Sequence, residues 1–180
     1  PTHHVDILCS LLGDTAPTSA EWTAQGLDKY GVVAVLERSN GTLEAAQVEK
    51  VSHETATRML AGLDGSLKQV GPSLGSLSVS GAILDALLGE FSEELNAKVA
   101  KYDTDPHFWM PLTLSLEVYQ ELMLQKKTPK EESMAHYNRI AKMKETFLES
   151  PEGSKLGLFG PVNVGKDACW WDYGQLKLYS

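Results

Sequence analysis

Gly31-Val-Val-Ala-Val-Leu36, followed shortly by Asn40-Gly41, is the feature that most constrains this chain. A β-branched run favours extended backbone, and Asn-Gly tolerates the positive φ of a tight turn, so the segment predicts a β-hairpin whose return strand runs from Thr42 to Val51. A hairpin cannot stand alone, and the rest of the chain must supply what covers its faces. Val5 to Leu12 is a short apolar run ending at Gly13-Asp14, which suits a buried strand with a carboxylate at its C-terminal end; a short helix fits the same run. Ser52 can cap a helix over His53 to Leu63, with Glu54 placed where the helix dipole favours an anion. Leu74, Leu77 and Val79 predict a third strand that feeds the apolar helix Ile83 to Phe91. Tyr102 to Pro111 reads as a shaped loop and Leu114 to Leu124 as a helix. Thr128-Pro129-Lys130-Glu131 has the form of a capping box with Pro at the first helical position, predicting a helix from Pro129 to Leu148. Leu156 to Phe159 is a further candidate strand. Strands mixed with helices predict an α/β fold, a mixed sheet with flanking helices.

A length of 180 residues supports a single α/β domain over 1–180, or the C-terminal portion of a larger one. Apolar residues at 42% and charged residues at 22% are globular proportions, which argues against a disordered tail. Sixteen Lys and Arg against 24 Asp and Glu leave a net charge of −8, the wrong sign for neutralising a phosphate backbone, so nucleic acid is excluded as the main partner. No run approaches the ~18 apolar residues of a membrane span. Only Cys9 and Cys169 are present, too few for a disulfide scaffold, and the expected compartment is intracellular, either cytoplasm or plastid stroma. The start at Pro1 fits a removed transit peptide or a trimmed fragment.

Several motifs invite chemistry. Gly160 to Lys166 matches the phosphate loop G-x-x-x-x-G-K, but Asp167 stands where a hydroxyl should reach Mg²⁺, so an ordinary Gly-rich turn is preferred. Asp103 and Asp105, beside His107, form a D-x-D that can hold a divalent cation against a diphosphate, as in metal-dependent glycosyltransferases; a turn is the plainer reading. His3-His4 lacks a spaced third ligand. No G-x-S-x-G elbow occurs, and the two cysteines read as buried thiols. Trp170-Trp171 reads as a packing anchor beside Asp172.

Taken in order, several segments resemble one family. Tyr30-Gly31-Val32-Val33, a hairpin and then Val48-Glu49-Lys50-Val51 resemble the sugar-binding half of sugar-phosphate nucleotidyltransferases. Leu74 to Ser80, leading into Ile83 to Leu88, is similar to the family's Gly-bearing strand entering an apolar helix. Trp171-Asp172-Tyr173-Gly174 with Tyr179 is similar to its late Trp-Asp-x-Gly element, and Tyr102 to Trp109 resembles a segment of UTP-glucose-1-phosphate uridylyltransferases. The resemblance implies a nucleotide-diphospho-sugar transferase-like fold and attack of a sugar-1-phosphate oxygen on the α-phosphorus of a nucleoside triphosphate. It implies Lys50 on the sugar phosphate, Glu49 on sugar hydroxyls, Gly31 and Gly75 at the substrate, and Mg²⁺ held by Asp172 with Asp14. The family's early G-x-G-T-R type loop has no counterpart here, which implies either a portion of a longer enzyme or a non-catalytic subunit or scaffold of a larger assembly. A glycosyltransferase using Asp103 and Asp105 is the other reading. Each would take a sugar phosphate or nucleotide sugar.

Overall fold

The hairpin organises the fold. In the computed structural model, which describes residues 2–13, 15–61, 63, 65–97 and 109–167, strand β2 (Gly31–Glu37) pairs antiparallel with β3 (Leu43–Glu49), in register from Gly31 opposite Glu49 to Glu37 opposite Leu43. Only Gly41 at the tip takes positive φ, at 79°; its N–H donates to the Arg38 carbonyl, and the Asn40 carboxamide accepts from Thr42. The connection is therefore a turn closed by a left-handed glycine rather than a two-residue turn.

Three further strands complete a five-stranded sheet of order β3-β2-β4-β1-β5: β1 (His3–Cys9), β4 (Ser66–Val79) and β5 (Gly157–Asn163). All neighbours are antiparallel except β1 and β5, which makes the sheet mixed as expected. The helices are α1 (Ser19–Ala24), α2 (His53–Ala61), α3 (Gly81–Glu90), α4 (Ser92–Ala97), α5 (Trp109–Thr113), α6 (Leu116–Gln125) and α7 (Lys130–Glu149). Among the described residues, no helix is long and apolar enough to cross a membrane.

Side chains along β2 alternate between two cores, as the two-residue strand period requires. Val32, Ala34 and Leu36 join Ala46, Val48 and Val70 beneath Trp22 of α1, Met59 of α2 and Tyr119 and Met123 of α6. Val33, Val35 and Ala45 point the other way and meet Val5, Ile7, Phe159, Ile83 and Phe147. The sheet curls around this second core until its two outer strands, β3 and β5, lie against each other. His3 spans them: its Nε2 donates to the Leu43 carbonyl at 2.8 Å. A Cβ on Gly157 or Gly160 would stand 2.5 or 2.0 Å from the His3 ring, so a side chain at either position would displace the ring. His4 is buried, its Nε2 donating to the Gly153 carbonyl and its Nδ1 accepting from Ser80, which also caps α3. Both histidines are thus structural.

Four sequence expectations need correction. Gly160 to Asn163 is the second half of β5, not a turn. Strand β4 begins at Ser66, eight residues before Leu74; the Pro72 carbonyl accepts from the Ser10 N–H, so the edge of Pro72 that lacks an N–H faces the irregular part of the β1–β4 pairing and the ladder with β2 is untouched. Trp109 to Pro111 is helical rather than loop, driven by burial of Met110 and Leu112 and packing of Trp109 on Phe159. Thr128 does not cap α7, whose N-cap is Pro129 without a side-chain bond. Instead Lys127 at φ 63° and the bonds Thr128 N–H to Met123 O and Lys127 N–H to Leu124 O close α6 in a Schellman motif. The capping box that does form is Thr18 with Glu21, at the start of α1.

Candidate functional site at the open end of the hairpin

The row of β3 side chains on the curled side runs Ala45, Gln47, Glu49, and the matching row of β2 runs Val35, Val33, Gly31. Apolar packing therefore gives way to polar groups as the hairpin approaches its open end. Gln47 is 5% exposed, and its Nε2 donates to Glu49 Oε1 at 3.0 Å. That bond fixes the orientation of the carboxamide, because a carboxylate can only accept. The Gln47 Oε1 atom is then buried with no hydrogen-bond partner among the described residues. Such a group costs ~1–3 kcal/mol and marks a place where stability has not been optimised.

Gly31 lies across from Glu49, and a methyl placed on it would come 3.3 Å from Gln47 Nε2, 3.5 Å from Ser73 Cβ and 3.8 Å from Glu49 Oε1. The absence of a side chain at Gly31 is what lets these three residues pack up to its backbone. Ser73 is buried, pairs with Cys9 of β1, and its Oγ accepts from the Gly75 N–H at 3.2 Å. Gly75, at φ 69°, sits where β4 carries extra residues between its Leu77 and Ser73 pairs, so its glycine is explained by a bulge. Lys50 follows directly, exposed, with its N–H on the Tyr30 carbonyl and φ at 53°. A non-glycine residue in the left-handed region is a strained position, of the kind that recurs at ligand clamps.

Cys9 closes the inner side of this cluster. It is 0% exposed and its Sγ donates to the Val162 carbonyl, while burial pushes the thiol up to about 11. A thiol held neutral at physiological pH is a poor nucleophile, in keeping with a packing role. On the opposite face of the sheet, at the C-terminal ends of the parallel pair β1 and β5, a crevice of about 530 Å³ is lined by Ser10, Gly13, Glu21, Pro72 and Lys166.

The structure thus brings Gly31, Glu49, Lys50 and Gly75 to one end of the sheet. Asp14, Asp103, Asp105 and Asp172, the carboxylates expected to hold Mg²⁺, lie outside the described residues, as do Cys169 and Trp170-Trp171. Among the described residues no group of three or more His, Cys, Asp or Glu is placed to hold a metal ion. Sequence reasoning missed Gln47 and Ser73. The signal for Gln47 was present, since a two-residue period through Glu49 puts it on the same face as Ala45. Ser73 was hidden in the part of β4 that Pro72 disguised.

No protein-family model, no curated protein and no solved structure matches this chain.

Proposed function

We propose that the open end of the hairpin binds the sugar-phosphate portion of a sugar-1-phosphate or nucleotide sugar, in a domain of the sugar-phosphate nucleotidyltransferase type. One observation carries the reading. The register sets a carboxylate, oriented by a buried carboxamide, opposite the glycine that opens β2, with an exposed lysine next in the chain.

The chemistry required of such residues is modest. Glu49, held by Gln47, accepts hydrogen bonds from sugar hydroxyls; Gly31 lets the ring approach the backbone; Lys50 supplies the charge that meets the phosphate. In nucleotidyl transfer the protein mainly positions the attacking oxygen and balances charge, and these residues serve the acceptor side of that reaction. The triphosphate side is served in this family by a Gly-rich loop that the 180 residues do not contain. This chain alone is therefore expected to bind without turnover.

Calorimetry with glucose-1-phosphate, UTP and UDP-glucose in the presence of Mg²⁺, alongside a pyrophosphate-release assay, tests both halves. The sugar-bearing ligands should bind and no pyrophosphate should appear. Gly31→Ala should keep the fold, because its nearest contact would be 3.3 Å from a flexible side chain, and should weaken binding about tenfold or more, ~1.4 kcal/mol. Robust pyrophosphate release would remove the acceptor-only reading. Absence of binding by all three ligands would instead favour a scaffold without a sugar site.

A further inference from the structure

Strand β4 runs directly into α3, and the residue at the junction is Ser80. Its Oγ lies 2.7 Å from Nδ1 of His4, which β1 brings alongside; the Ser80 N–H also donates to the His4 carbonyl. The other ring nitrogen, Nε2, lies 3.1 Å from the Gly153 carbonyl. The two bonds that hold His4 in the fold also fix where its proton sits. A carbonyl can only accept, so Nε2 carries the hydrogen and Nδ1 presents its lone pair. The Ser80 hydroxyl therefore donates to Nδ1. A hydroxyl bonded to an imidazole lone pair, with the imidazole oriented by a third group, is the arrangement that activates a serine nucleophile. The G-x-S-x-G pattern passes over it because glycine follows this serine directly, in Ser78-Val79-Ser80-Gly81.

The surroundings suit the same chemistry. Ser80 is the N-cap of α3, a helix of 10 residues, so its Oγ stands at the positive end of the helix dipole, where charge developing on a reacting oxygen is stabilised. The cap bond that Oγ accepts from the Ile83 N–H is long, at 3.4 Å, and makes a weaker demand on the oxygen than His4 does. Ser80 is half-buried and Gly81 exposed, and a Cβ on Gly81 would meet no atom within 4 Å, so the chain next to the hydroxyl is open to an incoming molecule. His4 itself is buried, with its ring edge-on to Phe147 at 4.7 Å between centroids.

We propose that Ser80 and His4 are a nucleophile and its general base, which take an acyl group from a small ester and pass it to water. Ser80 Oγ attacks the ester carbonyl carbon while its proton moves to His4 Nδ1. As the tetrahedral intermediate collapses, the bond to the alcohol oxygen breaks and that oxygen takes the proton from Nδ1. Water then attacks the acyl-serine by the same route, His4 taking its proton and returning it to Ser80, and the products are a carboxylic acid and an alcohol. The acyl group is received at a partly exposed junction of strand and helix, which favours a short one. His4 stands near the start of β1 and Cys9 at its end, ~17 Å along the strand, so the pair is independent of the sugar-phosphate reading.

The test is covalent labelling of the full chain with an alkyl fluorophosphonate, whose phosphorus bonds to an activated serine oxygen as fluoride leaves, followed by peptide mass mapping. Ser80 should be labelled ~10-fold or more faster in the folded chain than in urea, and by the same margin faster than any other serine. With p-nitrophenyl acetate the folded chain should release nitrophenolate and carry an acetyl group at Ser80. Ser80→Asn keeps a side chain that can cap α3 but has no hydroxyl; it should fold and lose both the label and most of the nitrophenolate release. His4→Asn keeps an acceptor for the hydroxyl that does not take up its proton, and should slow labelling ~10-fold or more. Labelling of the parent chain decides alone should either variant fail to fold, because a bond that is only structural leaves Ser80 no more reactive than the other serines. Labelling of Ser80 no faster than in urea or than at other serines would overturn the proposal. So would nitrophenolate release unchanged in folded Ser80→Asn, or undiminished labelling in folded His4→Asn.

Discussion

The two faces of the β2–β3 hairpin are built from the same strands and come to different ends. On the helix side the row Val32, Ala34, Leu36, Ala46 and Val48 is apolar from one end to the other, and each of these residues is at most 2% exposed. On the curled side the row starts in the same way, with Val33, Val35 and Ala45, then breaks into Gln47, Glu49 and Gly31. A core that only had to be stable would continue the apolar row, since burying hydrocarbon is favourable and burying an unpartnered carboxamide oxygen is not. The break therefore locates the candidate site, because a departure from good packing is best explained by a demand that packing does not serve.

The largest cost is expected when the polar group is moved to the other face. Val48→Gln puts a carboxamide where Gln47 shows that the strand geometry admits one, but beneath the helices and with no carboxylate to receive it. Loss of valine burial, about 1.5–3 kcal/mol, together with an unmatched polar group, about 1–3 kcal/mol, predicts a destabilisation of roughly 3–5 kcal/mol in urea unfolding. A cost below about 1 kcal/mol would mean that the two faces are equally tolerant, and the contrast would lose its meaning.

The reverse exchange sharpens the same point. Gln47→Leu removes the orphaned Oε1 and restores an apolar row, so stability should hold or rise by up to about 1 kcal/mol. Binding should move in the opposite direction. Glu49 would lose the donor 3.0 Å away that orients its carboxylate, and affinity for glucose-1-phosphate should fall by calorimetry while the urea midpoint does not. A fall in both would identify Gln47 as a structural residue only.

How far the sequence discloses this arrangement depends on the range of the interactions involved. The hairpin and the helix after Ser52 are legible because their signals are local: a β-branched run, a turn glycine, a capping hydroxyl. Thr128 misleads because two local signals compete for it, and the end of α6 takes the residue that the start of α7 could have used. Gly157 and Gly160 are not legible at all. Their reason is the ring of His3, about 150 residues away in sequence, which arrives only once β1 and β5 pair. Of the site, Gly31, Glu49 and Lys50 come from a motif within one hairpin, whereas Ser73 joins them through the pairing of β4 with β1 and β2.

The smallest expected effect on stability separates charge from backbone at Lys50. Its left-handed φ of 53° costs a side-chain-bearing residue roughly 1–2 kcal/mol, which glycine would avoid. Glycine would in turn gain freedom in the unfolded chain, about 0.5–1 kcal/mol in the opposite direction. Lys50→Gly should therefore unfold within about 1 kcal/mol of the parent, on the stable side. Lys50→Ala keeps the strained conformation and should be the less stable of the two variants. Both remove the same ammonium group, so if the lysine acts on the sugar phosphate through its charge, both should lose affinity for glucose-1-phosphate to the same extent. Unequal losses would show that the backbone conformation at residue 50, and not its charge, shapes the site. Retained affinity in both would place the phosphate away from Lys50 and leave Glu49 and Gly31 as neighbours of the sugar alone.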